Sequence, residues 1–580
     1  MSTARPGGRI LVDQLVVHGA DLVFCVPGES YLAALDAFAD TPQIRLIAGR
    51  MEASCANMAC AHGQLTGRPG IFFASRGPGA AQASVAVHTA RQGSIPLIMF
   101  VGQVPRAHRD REAFQEVDID AMFAPLAKWT ATIDDPARIP EYVSRAYRVA
   151  TAGRPGPVVL SLPEDVLTQG ADVPDAADDR PAGSAPAATA VARVGELMRR
   201  AERPLVVVGG GGWSERAATD TVALCESWGL PLATAFRCQD YVDNNSPVYC
   251  GTLGLGIDPR LAARVRESDL LLVIGARLDE PTTGSYSMIQ APRPRQALIH
   301  VHADPAELGR VFEPTLGICA GSAEFVAAAA ALPAPTAAPP TPAAAPPTPG
   351  PAPPAPAAAP PAPDSGHLAE WTATAAADAR VFRTPSEAVG GVDLARAVSR
   401  LCDALGPEAI VTNGAGNYTL WVHRFWRFGR FGAQLAPVSG AMGYGLPAAI
   451  AAKLAEPERP VVSFNGDGCF MMGCQELATA VRHQANVVFV VIDNSSYGTI
   501  RMHQERRYPG RPVGTELFNP DFVAFARSFG LPACSVTDAD ELIAAVLDGV
   551  AADRPSLVHV PLSPERLTPP PAAARDGAAT

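Results

Sequence analysis

Short, wholly apolar runs recur along this chain, separated by stretches of mixed helical periodicity and followed by glycine or proline. Leu22-Val23-Phe24-Cys25-Val26 runs into Pro27-Gly28, Gly70-Ile71-Phe72-Phe73-Ala74 leads to Gly77-Pro78-Gly79, and Pro96-Leu97-Ile98-Met99-Phe100-Val101 follows a small-residue helical stretch. Runs this short and this uniformly apolar predict strands buried on both faces. Their alternation with helical segments predicts an α/β fold of mostly parallel sheets flanked by helices. The pattern recurs at Pro204–Val208, Leu270–Ile274 and Val487–Ile492, and with one polar interruption at Ala297–Val301 (His300) and Val461–Phe464 (Ser463). None of these runs approaches the roughly 20 residues needed to cross a bilayer as helix.

Breaks in the pattern divide the chain into three α/β units, over residues 8–170, 191–330 and 385–562. The interval 171–190 is rich in Pro, Gly, Ser and Asp and reads as a linker. Between the second and third units, 331–366, fifteen of the thirty-one residues from Pro333 to Pro363 are proline, and no residue from Phe325 to Pro363 is charged. Such a segment cannot form an amphipathic helix and reads as an extended linker, with PxxP recognition of a partner as the alternative. Residues 563–580 read as a frayed tail. A chain of 580 residues is long enough for three cores. Its net charge, 47 − 58 = −11, has the wrong sign for a protein held by nucleic-acid phosphates. The N-terminus lacks the uninterrupted apolar core of a signal peptide, so a cytoplasmic protein without nucleic-acid or membrane partners is expected. The 11 cysteines are scattered singly and suggest neither a zinc site nor a disulfide framework.

The densest chemistry is Asn465-Gly466-Asp467-Gly468-Cys469, directly after one predicted strand, with Asn494 directly after the next, 27 residues beyond Asp467. Carboxyl ends of neighbouring parallel strands are where open α/β sheets place ligands. A carboxylate and an amide oxygen there suit Mg2+ and a diphosphate, with Gly466 and Gly468 letting backbone approach and a helix beginning near Met472 directing amides. The bland alternative is a turn containing Asp467. The run Gly209–Gly212 lacks a clean GxGxxG pattern; a tight strand-to-helix turn competes there with dinucleotide binding, and an NAD-dependent oxidoreductase would rest on that run alone.

At this point the sequence resembles the thiamine diphosphate-dependent enzymes, most closely the acetolactate synthase large-subunit and 2-oxo acid decarboxylase-carboligase group. The resemblance covers about residues 8–560 apart from the proline-alanine insert. It implies a three-domain architecture: a pyrimidine-binding domain, a central Rossmann-like domain, and a diphosphate- and Mg2+-binding domain. It implies Asp467, Asn494 and the main-chain oxygen of Ser496 as metal ligands, with Gly468 and Cys469 in the same motif. Gly416, Asn417 and Tyr418 are implied near the diphosphate. Ser439-Gly440-Ala441-Met442-Gly443 matches the cofactor-bending segment, with Gly440 facing the aminopyrimidine and Met442 wedged between the two rings, although a core methionine is the bland reading. Arg50-Met51-Glu52-Ala53-Ser54 matches the segment bearing the catalytic glutamate, so Glu52 is implied as the group that shares a proton with the aminopyrimidine; a helix N-terminal charge is its bland reading. Met51 stands where the family often has His. Gln115 is implied as an oxyanion donor.

Substrate and lid candidates are Gly28, Glu29, Phe114, Lys128 and His503. Glu29 replaces a small residue and either meets substrate or pairs with an arginine. His503 lies in Tyr497–His503, which resembles the mobile segment over the site, where many acetolactate synthases have tryptophan. Arg501, Arg506, Arg507 and Arg511 compete between carboxylate recognition and solvated pairing. Segments around Arg277 and Asp304 resemble flavin-adjacent segments, which leaves FAD open against ordinary domain packing. The reaction implied is decarboxylation of a 2-oxo acid and transfer of the acyl unit to a carbonyl acceptor, in a homodimer or homotetramer with active sites at subunit interfaces. The alternatives are a nonligating decarboxylase, a thiamine-dependent C–C lyase or hydrolase, and a cofactor-binding protein without chemistry.

Overall fold

The computed structural model of the chain describes residues 4–178, 183–334, 365–386 and 391–570. Nearly all of the proline-alanine insert, and the partner motif considered there, lie outside these residues.

Three six-stranded sheets dominate, each wholly parallel. The first runs in the spatial order Arg45–Ala48, Leu22–Cys25, Gly70–Ser75, Leu97–Gln103, Pro157–Pro163, Trp129–Thr132. The third runs Gln434–Leu435, Ile410–Asn413, Val461–Gly466, Val487–Asp493, Ser556–Pro561, Ala533–Ser535. Numbered within each unit, both read 2-1-3-4-6-5, so the two outer units share one topology. The middle sheet runs Tyr249–Thr252, Leu232–Thr234, Pro204–Val208, Leu270–Ile274, Ala297–His302, Leu316–Cys319, which is the doubly wound order 3-2-1-4-5-6. The apolar runs are the central strands: Leu97–Gln103, Val461–Gly466 and Leu270–Ile274 are buried along their whole length.

The abundance of small residues has a packing cause. The helix Glu52–Thr66, rich in Ala, Ser, Cys and Gly, lies against the helix Gly445–Ala455 from the third unit. One hydrophobic core is continuous across both, from Cys55 and Ala59 through Leu446 and Ile450. Tyr444 seals this contact, donating its hydroxyl to Gln64 Oε1 at 2.7 Å. Gly70 sits where a Cβ would strike the carbonyl of Ala59, so this approach tolerates no side chain.

The middle unit is docked by buried charges. Asp240 accepts the backbone amides of Gly432, Ala433 and Gln434 at 3.0–3.1 Å, and burial raises its carboxyl to about 6. Arg154 of the first unit pairs with buried Glu307 at 2.8 Å, burial lowering the guanidinium to about 10. Glu307→Ala would strand Arg154, a loss of about 3–5 kcal/mol for an orphaned buried charge. Scanning calorimetry should show the lowered unfolding midpoint, and an unchanged midpoint would refute this docking role.

Two stretches depart from the sequence reading. A helix at Ser365–Arg383, just beyond the proline-alanine insert, docks on the middle unit: Trp371 donates to the Pro204 carbonyl at 2.9 Å, and Arg264 pairs with Asp378 at 3.0 Å. Residues 563–570, expected to fray, pack back on the third unit, where Arg424 donates to the Pro570 carbonyl at 2.6 Å. All 11 cysteines are free thiols. Among the described residues, no helix is long and apolar enough to cross a membrane.

Candidate active site

A cavity of about 240 Å³ opens at the carboxyl ends of Ile410–Asn413, Val461–Gly466 and Val487–Asp493. Gly416, Asn417, Tyr418, Gly440, Met442, Asp467, Gly468, Cys469, Asn494 and Ser496 all line it. Residues scattered over eighty positions meet there because three adjacent parallel strands all end on the same side.

Asp467 is 3% exposed and opens the helix Asp467–Met471, which therefore begins five residues before the expected start near Met472. Burial, with Asp493 close by, holds its carboxyl above the ordinary range. Asn494 and Ser496 sit in a loop turned by Ser495 at φ +50°. Asn494 Oδ1 accepts the Ser496 amide at 3.2 Å, and the Ser496 carbonyl accepts the Gly498 amide at 2.8 Å. The glycines of the motif answer to aromatic rings packed on them: a Cβ on Gly466 would lie 2.9 Å from the Tyr418 ring, and one on Gly468 would lie 2.7 Å from the Tyr497 ring. Tyr418 OH accepts the Gly414 amide at 3.0 Å, and Cys469 Sγ accepts the Gly443 amide at 3.1 Å. Gly440, at φ +70°, has nothing within 4 Å of where its Cβ would be.

This donor set fits Mg2+: one carboxylate, one amide oxygen and one main-chain carbonyl, all hard oxygens. Ser496 Oγ is buried without a hydrogen-bond partner beside them. Among the described residues, no group of three or more His, Cys, Asp or Glu forms a metal cluster; a set with a single carboxylate is of another kind and relies on further oxygens, such as phosphates, to complete the shell.

The candidates of the first unit gather elsewhere, around Ser75-Arg76-Gly77-Pro78-Gly79 at the start of the helix Arg76–Gly93. A Cβ on Gly79 would lie 3.1 Å from Glu52 Oε1, and one on Gly28 would strike Ser75. Gln115, at φ +64°, accepts the Gly77 amide on its carbonyl at 3.0 Å. Phe114 accepts from Arg76 on its carbonyl at 3.2 Å and turns its ring outward, 72% exposed. Arg76 pairs with Glu164 at 2.8 Å and lies 3.9 Å from Glu29, so Glu29 faces an arginine. None of these residues lines the cavity. Within one chain the candidates thus fall into two separate groups, here termed half-sites.

Glu52 is nonetheless tied to the cofactor-side motif of its own chain. Glu476, fully buried nine residues after Asp467, accepts the amides of Arg50 and Met51 at 3.0 Å each and the Thr479 hydroxyl at 2.5 Å. Burial raises its carboxyl. Nothing in the sequence reading marked Glu476, because the two amides it holds across the units, those of Arg50 and Met51, are backbone groups more than 420 positions away. Thr499 was passed over too: its hydroxyl accepts the Asn417 amide at 3.0 Å and donates to Asn417 Oδ1 at 2.9 Å.

Lys128 joins neither half-site. Its ammonium donates to the carbonyls of Ala152 and Arg154 at 2.7 and 2.8 Å, and burial lowers it to about 8. It ties the end of the helix Ile139–Thr151 to the start of its neighbouring strand, a packing contact outside the cavity. His503 and Arg506 lie on the exposed helix Gly498–Arg507 and line a wider cleft of about 1290 Å³ that shares Gly416, Asn417 and Gly440 with the cavity. In the middle unit, Gly210 and Gly275 pack backbone to backbone, and Tyr241 OH donates to the Gly210 carbonyl at 2.7 Å. The glycine run is therefore a turn, crowded at Gly210 and open at Gly212, along the wall of a cavity of about 440 Å³. Arg277 donates to the Gln92 carbonyl at 3.1 Å, and Asp304 accepts the Ala306 amide at 2.9 Å, so both serve packing.

Comparison with known proteins follows the same three units. Residues 5–122 match the N-terminal TPP binding domain of thiamine pyrophosphate enzymes, residues 191–329 their central domain, and residues 414–560 their C-terminal TPP binding domain. The chain is 31% identical over 568 residues to the acetolactate synthase large subunit of Parasynechococcus marenigrum, covering 96% of this chain and 87% of that protein. It is 30% identical over 579 residues to the acetolactate synthase isozyme 1 large subunit of Escherichia coli, covering 98% and 96%. A probable chloroplastic acetolactate synthase of Oryza sativa subsp. japonica is 31% identical over 573 residues, covering 96% and 83%. With the three domain models matched in order and such relatives spanning nearly its whole length, the chain belongs to the thiamine diphosphate-dependent enzymes, in the acetolactate synthase large-subunit and decarboxylase family.

Proposed function

We propose that this enzyme decarboxylates a 2-oxo acid and transfers the remaining acyl unit to a second carbonyl compound, as an acetolactate synthase-like carboligase. The observation that carries this reading is the convergence of Asp467, Asn494 and Ser496 with Gly416–Tyr418 and Met442 on one cavity. In it, Asp467, Asn494 and the Ser496 carbonyl would hold Mg2+, Gly416, Asn417, Tyr418, Gly468 and Cys469 would receive the diphosphate, and Gly440 and Met442 would line the part of the site for the rings. When bound, thiamine diphosphate supplies a thiazolium that accepts the electron pair released by decarboxylation. Glu52 holds and shares a proton at its carboxylate, and the Gln115 amide donates to oxygen that becomes negative on the substrate.

Separation of the half-sites in one chain supports a homodimer in which Glu52 of one subunit faces the cavity of the other, with a tetramer as the higher assembly. Apolar side chains left in solvent agree with this: Phe114, Met471, Met472, Ile500 and Phe518 are all exposed. Arg277 and Asp304 are engaged in packing contacts, and this reading does not rest on FAD. The wide cleft with His503 and Arg506 supports a second reading, a nonligating decarboxylase for a larger 2-oxo acid.

Mass spectrometry of products from a panel of 2-oxo acids, with and without aldehyde or 2-oxo acid acceptors in Mg2+ and thiamine diphosphate, tests this. A coupled hydroxyketone or acetohydroxy acid is the expected product. Aldehyde and carbon dioxide alone would replace the carboligase by the decarboxylase.

A further inference from the structure

We propose that Asn519 and Asp493 form the positioning frame of the metal site, setting the separation between Asp467 and the Asn494–Ser496 loop without lining the cavity themselves. This rests on the magnesium–thiamine diphosphate reading above. Asn519 spends both hydrogens of one amide group on two carboxylates, donating to Asp467 Oδ2 at 2.8 Å and to Asp493 Oδ1 at 2.8 Å. The same Asp493 oxygen accepts the Ser495 amide at 2.9 Å and the Ser495 hydroxyl at 3.2 Å. Ser495 stands between the two candidate ligands of the loop, and its left-handed backbone persists only if something holds it. One amide and one carboxylate therefore connect all three metal ligands, which come from two different strand ends.

The frame is braced on both sides. Leu517 donates its amide to the Ser495 carbonyl at 2.9 Å, and Tyr497 donates to the Thr515 carbonyl at 2.8 Å, so the stretch leading to Asn519 is stitched to the ligand loop. On the far side, the second oxygen of Asp493 meets His559 Nε2 at 3.1 Å from the adjacent strand Ser556–Pro561. Two carboxylates at neighbouring strand ends repel each other, and an amide donor placed between them offsets that repulsion while fixing their distance. Loss of a group that orients metal ligands in this way typically costs about 10–100-fold in metal affinity.

Calorimetric titration of Mg2+ into the full-length protein with thiamine diphosphate, paired with the unfolding midpoint in the absence of Mg2+, tests the frame. Asn519→Ala is expected to raise the Kd for Mg2+ by about 10–100-fold with the metal-free midpoint unchanged, and turnover should recover as Mg2+ is raised. A parent that binds Mg2+ alongside an Asn519→Ala variant of equal Kd overturns the frame and leaves the metal site standing. A parent that takes up no Mg2+ overturns the metal reading, and the frame with it. If the alanine variant lowers the metal-free midpoint, Asp493→Asn decides: it keeps the shape but weakens the acceptor for Asn519 and Ser495, so the Kd should rise by about tenfold, and an unchanged Kd rejects the proposal.

Discussion

Asp467→Ala is expected to weaken Mg2+-dependent binding of thiamine diphosphate by about 100-fold or more, beyond what groups merely touching metal ligands contribute. The reason lies in the composition of the site. Asn494 and the Ser496 carbonyl are neutral donors, so Asp467 is the one formal negative charge that lines the cavity and can neutralise a divalent ion. Its carboxylate is buried and anchored through Oδ2 to Asn519, so little reorganisation is needed when a cation arrives. Removing it also leaves Asn519 with one carboxylate partner in place of two. Isothermal titration of the cofactor at fixed Mg2+ measures the effect. Affinity equal to that of the parent would withdraw Asp467 from the metal site.

Glu52→Gln is expected to separate chemistry from binding. Glutamine has the shape that fits beside Gly79, and the clamp of Glu476 on the Arg50 and Met51 amides is untouched, so the fold and the cofactor cavity should persist. An amide cannot share the proton that the carboxylate holds, and loss of a positioned acid-base group costs about 10²–10⁴-fold in rate. Consumption of 2-oxo acid followed beside cofactor calorimetry should show turnover collapsing at near-parental affinity. Parental turnover on every accepted substrate would exclude Glu52 from proton transfer; loss of affinity equal to the loss of rate would make it a binding group.

The legible part of the site is the part written in consecutive residues. Asn465-Gly466-Asp467-Gly468 follows directly on the largely apolar run Val461–Phe464, so a strand end and its polar cap could be placed together from the pattern alone. Asn494 could be added because it stands in the same relation to the next run, and parallel strands in one sheet end on one side. The glycines illustrate the limit of such reasoning: the pattern shows that they are needed, whereas the Tyr418 and Tyr497 rings packed on them show what they make room for. Lys128 shows the same limit: only the tertiary structure reveals the two backbone carbonyls that its ammonium clamps. Glu476 and Asn519 carried no signal, since what singles them out is contact with other elements: the Arg50 and Met51 amides for Glu476, and the carboxylates of Asp467 and Asp493 at two strand ends for Asn519.

By itself, then, the sequence determined the α/β class with parallel sheets, because strands buried on both faces are predominantly apolar, and it placed the hard-oxygen donors Asp467 and Asn494 at the ends of adjacent strands. Tertiary structure alone decided that the outer units share the order 2-1-3-4-6-5, that Glu52 and Gln115 gather at Gly77 and Gly79 away from the cavity, and that Asn519 joins Asp467 to the Asn494–Ser496 loop. The division has a physical origin. Hydrophobic periodicity is a local property that each segment carries with it, whereas strand order, half-site separation and the pairing of buried polar groups depend on which distant segments pack together.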